Sequence, residues 1–329
     1  MSRRRLAASA VAAVTVSLAA LLAAAPAVAE TIFVSNEKDN TISVIDGATL
    51  EVTDTIDVGR RPRGITFSAD KTQIYVCAGD DNRIDVIDIA SRRVVDSLPS
   101  GPDPELFVLH PEGRILYVAN EDDNMVSAVD VVDKVITAEI IVGVEPEGMG
   151  ISPDGRLLVN TSETTNMAHF IDTETQEIVA NVLVDSRPRV AQFTRDGREV
   201  WVSAEIGGTV SVIDAASREI VDKIGFEIPG IRREAIQPVG IAITEDGGRI
   251  FVALGPSNRV AEIDPQTREV VKYHLVGQRV WNLALSPDET RLYTTNGVSN
   301  DMSVIDLKND RVIKSVGVGG APWGVIVLP

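Results

Sequence analysis

The side chains here whose types do chemistry fall into two groups. Glu105, Glu147, Glu121 and Glu163 are oxygen donors of the sort Ca²⁺ takes, and would serve a metal-dependent, lactonase-type hydrolysis. Trp281 and Trp323 offer flat faces to a planar ligand, and Arg63 and Arg189 can meet its charged groups. Other chemistries are excluded by composition. The single cysteine, Cys77, rules out a disulfide framework, a Cys-based zinc site, an iron–sulfur centre and c-type haem. His110, His169 and His274 are too few for a copper centre, and no cofactor is expected. Lys and Arg total 31 against 48 Asp and Glu, a net charge of −17, so phosphate-neutralising contact with nucleic acid is not expected.

What must position these residues is a repeat. An aspartate closes an apolar run at Asp46, Asp88, Asp130, Asp172, Asp214, Asp264 and Asp306, with spacings of 42 except for one of 50. Pro62, Pro104, Pro146, Pro188, Pro238 and Pro322 keep the same frame, with Val280 in the remaining place. Each repeat reads as four short strands rich in Val and Ile with turns about every ten residues, and no helical period is sustained beyond the N-terminal segment. Four strands per 42 residues is the period of a propeller blade. The first repeat lacks its innermost strand, and the chain ends with one such strand, Gly324 to Leu328. The two ends therefore complete one blade and leave no unpaired edge. The expected fold is all-β: a seven-bladed β-propeller of four-stranded antiparallel blades, closed by the C-terminal strand and spanning 30–329. An eight-residue insertion falls within 227–237.

Phe33-Val34-Ser35-Asn36, Tyr117-Val118-Ala119-Asn120 and Tyr293-Thr294-Thr295-Asn296, each leading into an Asn, a Val-Ile-Asp-like run and a Thr, resemble the YVTN β-propeller repeat over nearly all of 30–329. The architecture is most similar to the β-propeller family associated with PQQ-dependent catabolism. That resemblance implies a non-enzymatic accessory serving PQQ-dependent alcohol oxidation or its transport system. It implies partners such as a periplasmic PQQ dehydrogenase, a cytochrome c or an ABC-transporter component, and it carries over no catalytic residue.

Residues that recur in every repeat are scaffold. The seven aspartates and the Ser, Thr, Asp or Asn three places later suit tight turns. Asn40, Asn82, Asn124, Asn166, Asn258 and Asn300, with Gly208 in the seventh place, suit positive φ. Gly64, Gly148, Gly240 and Gly324 open innermost strands where backbones crowd the axis. Function is expected where repeats differ. After the Pro marker, blades 1 to 7 carry Trp323, Arg63, Glu105, Glu147, Arg189, Val239 and Trp281 at one channel mouth. The facing loops carry Glu37, Gly79, Glu121, Glu163, Glu205, Gly255 and Gly297. The candidate binding residues are Arg63, Glu105, Glu147, Arg189, Trp281 and Trp323. Glu121, Glu163 and, from the insertion, Arg232 and Arg233 are secondary. Three readings remain open: a stacked planar ligand, a docked basic protein steered by acidic residues, or side chains that simply plug the channel. The insertion is either a lid or a plain loop extension. No histidine reaches the mouth, so no nucleophilic triad is expected there.

Residues 1–29 read as a secretory signal: Arg3, Arg4 and Arg5, an apolar run, then Ala27-Val28-Ala29. The triple Arg also fits a twin-arginine leader, and the run is near the length of an uncleaved anchor. Cleavage after Ala29 is expected, giving a periplasmic monomer with no membrane span. The 28 basic and 48 acidic residues left set its net charge at −20.

Overall fold

The computed structural model describes residues 30–329, and the predicted leader lies outside them. Seven four-stranded antiparallel sheets stand around an axis, in agreement with the repeat count. In six blades the second and third strands are six residues long. Both of their faces meet neighbouring blades, which is why runs such as Ile74–Ala78 and Val200–Ala204 are buried at every residue instead of alternating. Outer strands such as Glu51–Asp57 have one wet face and read mostly exposed. Among the described residues, no helix is long and apolar enough to cross a membrane.

The core is a set of seams between blades. Phe33, Ile42 and Val44 of blade 1 pack on Ile74, Val76 and Ile87 of blade 2. Ile32, Val34 and Val325 of blade 1 pack on Tyr293, Met302 and Val304 of blade 7. The C-terminal strand Pro322–Leu328 pairs antiparallel with Thr31–Asn36, with Phe33 opposite Ile326 and Val34 opposite Val325. Ring closure is therefore an ordinary blade seam plus a ladder between the two ends of the described chain.

The repeated residues do the work expected of them, and some do more. Each frame aspartate folds back on its own turn: Asp46 Oδ1 accepts the Thr49 N–H at 2.7 Å, and Asp214 Oδ1 that of Ser217 at 2.7 Å. The six asparagines do adopt positive φ, between 53° and 59°. They also latch neighbouring loops together, which the sequence pattern did not reveal. Each Oδ1 accepts the backbone N–H of the residue before the next Pro marker, twenty-one positions on, at 2.9–3.2 Å. That acceptor holds a residue which is itself left-handed, from Arg61 through Ala321.

Two outcomes test this account. Truncation after Trp323 removes the ladder to Thr31–Asn36 and uncovers the Ile32–Val34–Tyr293 seam. At about 1.5–3 kcal/mol per uncovered aliphatic side chain, melting should fall by roughly 10 °C or more, or folding should fail. A truncated chain melting like the parent refutes ring closure as a source of stability. Asn166→Gly keeps the positive φ and deletes only the latch, so a loss of about 1 kcal/mol in denaturant unfolding is expected; no loss refutes the latch.

Candidate functional site

Six of the seven innermost strands lose register just after the marker position, as between Pro62 and Ile65 and between Pro188 and Ala191; the short blade 6 strand Ile241–Ile243 pairs without a shift. The bulge frees the residue after the marker from the ladder, which is how one position tolerates Trp, Arg or Glu; in blade 6, which has no bulge, Val239 keeps a backbone bond to the Ala253 carbonyl at 2.9 Å. Four hydroxyls of second strands secure the bulges. Ser35 Oγ accepts the Gly324 N–H and donates to the carbonyl of Arg63 in the next blade, both at 2.8 Å. Thr161 does the same between Gly148 and Arg189, Ser203 between Val190 and Val239, and Thr295 between Asn282 and Trp323. The third residue of the Tyr-Val-Thr-Asn-like run is thus a clamp on the backbone of the neighbouring mouth residue.

The expected mouth residues do converge, as two mirror-related chains. In one, Arg63 stands over the Trp323 ring at 5.9 Å and donates to Glu105 Oε2 at 2.6 Å. Arg63 also reaches Glu37 at 3.3 Å. In the other, Arg189 stands over Trp281 at 5.7 Å, with Glu147 at 2.9 Å and Glu163 in contact with its other guanidinium nitrogen. Arg279 covers the same Trp281 ring at 4.4 Å and binds Glu205 at 2.8 Å. Gly297 leaves the space that the Trp281 indole edge fills.

Three particulars differ from the sequence reading. First, four of the six candidate binding residues, Glu105, Glu147, Arg189 and Trp323, are at most 3% exposed, so they are buried plugs of the axis and not contact faces. Arg61, Arg63, Glu121 and Trp281 are half-buried and border solvent. Second, Glu105, Glu121, Glu147 and Glu163 do not form one donor set. Asp103, Glu105 and Glu121 bring oxygens within 4.8 Å of one another, while Glu147 and Glu163 are held by Arg189. The Arg61 guanidinium contacts Asp103 and lies 2.8 Å from Glu105 Oε1, so the first set is already charge-matched. Third, the position before the Pro marker belongs to the site. Arg61, Asp103, Arg187 and Arg279 all come from it, and Arg187 bridges Glu163 at 2.9 Å and Glu205 at 3.1 Å. The same frame, read one residue earlier, shows the same non-repeating chemistry.

The remaining candidates lie where the repeat places them, away from this cluster. Arg232 and Arg233 sit on the exposed insertion. His169 is tied to the Gly143 N–H and Asn181, and His274 to Glu262 at 3.3 Å. Cys77 is fully buried, and burial pushes its thiol well above the ordinary range.

The YNCE-like beta-propeller family model matches residues 8–112. No curated protein sequence matches the chain. Hydrazine synthase of Kuenenia stuttgartiensis is 22% identical over 84% of this chain and 92% of its own, with a TM-score of 0.77. The periplasmic gluconolactonase PpgL of Pseudomonas aeruginosa is 18% identical over 91% and 99%, with a TM-score of 0.77. A functionally unknown protein of Desulfotomaculum acetoxidans is 17% identical over 90% and 98%, with a TM-score of 0.76. At these identities the likeness is one of fold.

Burial sets the protonation of the mouth carboxyls. Burial, together with a hydrogen bond to Glu105, pushes Glu121 up to about 7 from 4.5. Burial also outweighs Arg189 at Glu147, which rises to about 8. Burial opposes ionisation of Glu105 as well, but Arg63 and Arg61 beside it hold its carboxyl below the ordinary value. A raised folded value means that the folded chain keeps a proton the unfolded chain releases. The contribution of Glu121 is therefore complete below pH 4.5 and is lost as pH rises through 7. Glu121→Gln, whose amide donates to Glu105 at every pH, is expected to melt higher than the parent at pH 8 and equally at pH 4. Parallel melting curves across pH 4 to 8 would show that no shared proton exists.

Proposed function

We propose that this chain is an exported, non-enzymatic binding propeller serving PQQ-dependent alcohol oxidation or its associated transport, and that its partner docks on the channel-mouth face. One observation carries the reading: every central carboxylate is engaged by a guanidinium or by another carboxyl, and two guanidiniums clamp Trp281. These buried groups hold the half-buried Arg61, Arg63, Glu121 and Trp281 rigid at the solvent border, so the cost of ordering that surface is met in folding and not on association. Trp and Arg at such a centre are the side chains that dominate binding energy. The net charge of −20 expected for 30–329 favours a basic partner such as a small cytochrome c, through long-range steering.

A second reading, Ca²⁺-dependent lactone hydrolysis, draws on the Asp103–Glu105–Glu121 oxygens and on the fold shared with PpgL, a periplasmic gluconolactonase. Arg61 and Arg63 would have to leave Glu105 before a cation entered.

Co-purification from the native host, followed by titration of the recovered partner, tests the proposal. Trp281→Ala is expected to weaken binding by about thirtyfold, or about 2 kcal/mol, and 200 mM salt is expected to weaken it further. Partner affinity unchanged by Trp281→Ala refutes the mouth as the docking face. A Ca²⁺-dependent rise in melting temperature that is lost in Glu105→Gln, together with turnover of simple lactones, establishes the enzymatic reading instead.

A further inference from the structure

One seam breaks the rules that the other six obey. Six blades carry the latching asparagine; blade 5 has Gly208 there, at φ 68°. The same seam carries the insertion, so the residue that a latch would hold, Gln237, donates instead to the carbonyl of Leu254 at 3.3 Å. The last residue of the blade 5 outer strand is Gly225, where the neighbouring blades 4 and 6 have Leu183 and Leu275; blade 7 also has a glycine there, Gly317, so only the lost latch and the insertion are peculiar to this seam. A Cβ at Gly225 would meet no atom within 4 Å. Together these changes leave a pocket of about 730 Å³ between Gly208, Gly225 and the inserted loop. That volume suits a small ligand.

The loop around the pocket is built and not slack. Phe226, Ile228 and Ile236 are buried in the blade 5–6 core with Trp201 and Ile241, and Ile231 packs against them. Backbone turns close at Ile231, Ala235 and Ile236, and the Glu227 N–H donates to Tyr273 Oη at 3.2 Å. One wall is therefore apolar. Arg233 stands on the rim, exposed, with no ion pair among the described residues. The nearby Asp185 carboxylate is taken by Lys223 Nζ at 2.7 Å and Thr209 Oγ1 at 2.6 Å. Glu227, also on the rim and exposed, attracts cations and opposes an anion on its own side of the pocket, so the anionic head is placed on Arg233.

We propose that this pocket binds a small amphipathic anion, its apolar body against Ile228, Ile231 and Ile236 and its charged head on Arg233. The site is separate from the mouth network and stands or falls independently of the docking reading. The probe is 8-anilinonaphthalene-1-sulfonate, titrated by fluorescence against the folded 30–329 chain, with decanoate and decyltrimethylammonium as competitors. Expected are one saturable site, displacement by decanoate and not by the cation, and a loss on the order of tenfold in affinity for Arg233→Glu. Gly225→Leu and Gly208→Asn insert side chains that other blades carry at those places. Both should melt like the parent and bind the probe at least tenfold more weakly. No saturable binding, equal displacement by the cation, or parental affinity in both Arg233→Glu and Gly225→Leu overturns the proposal. If either filled variant melts early, Arg233→Glu alone, being on the surface, decides.

Discussion

The whole molecule depends on how closely the innermost strands must approach one another. A Cβ on Gly64 would come within 2.6 Å of the Glu105 carbonyl, and one on Gly240 or Gly324 within 2.7 Å of the carbonyl of Trp281 or Arg63. Backbones at that distance cannot be spaced by side chains, so they are spaced by glycine and by the hydroxyls of Ser35, Thr161, Ser203 and Thr295. The carbonyl each glycine or hydroxyl meets belongs to a mouth residue of the next blade. Closing the ring and placing the mouth side chains are thus one act.

Those side chains then decide what fills the axis. Isolated buried charges are expensive, and a buried guanidinium persists only with carboxylates on its donors. The blade order Trp, Arg, Glu, Glu, Arg, Val, Trp gives each arginine a glutamate on one side, while Trp323 and Trp281 lie under Arg63 and Arg189. Seven carboxyls meet five guanidiniums there, and raised values at Glu121 and Glu147 reduce the excess of negative charge.

The blade 5–6 seam shows the repeat relaxed on purpose. A latch lost at Gly208 would loosen a seam, but Phe226, Ile228 and Ile236 restore apolar contact in its place. The seam remains closed while its outer mouth opens into a pocket.

Fold, blade count, closure and the location of the mouth were legible in the sequence, because a propeller imposes its period on every turn and strand. Asp46 and its six equivalents, or Asn40 and five of its own, must recur since each blade needs the same turn. The residues after the Pro marker were legible for the opposite reason: in six blades a bulge releases them from the ladder, so their types vary. Partner choice was not legible. That Glu105 faces Arg61 and Arg63 while Glu147 faces Arg189, that Trp323 is buried and Trp281 only half so, and that Asn166 reaches twenty-one residues ahead all depend on how far neighbouring blades rotate and approach. A one-dimensional frame carries each residue to its blade and height; distances between side chains across the axis arise only when all seven blades have closed.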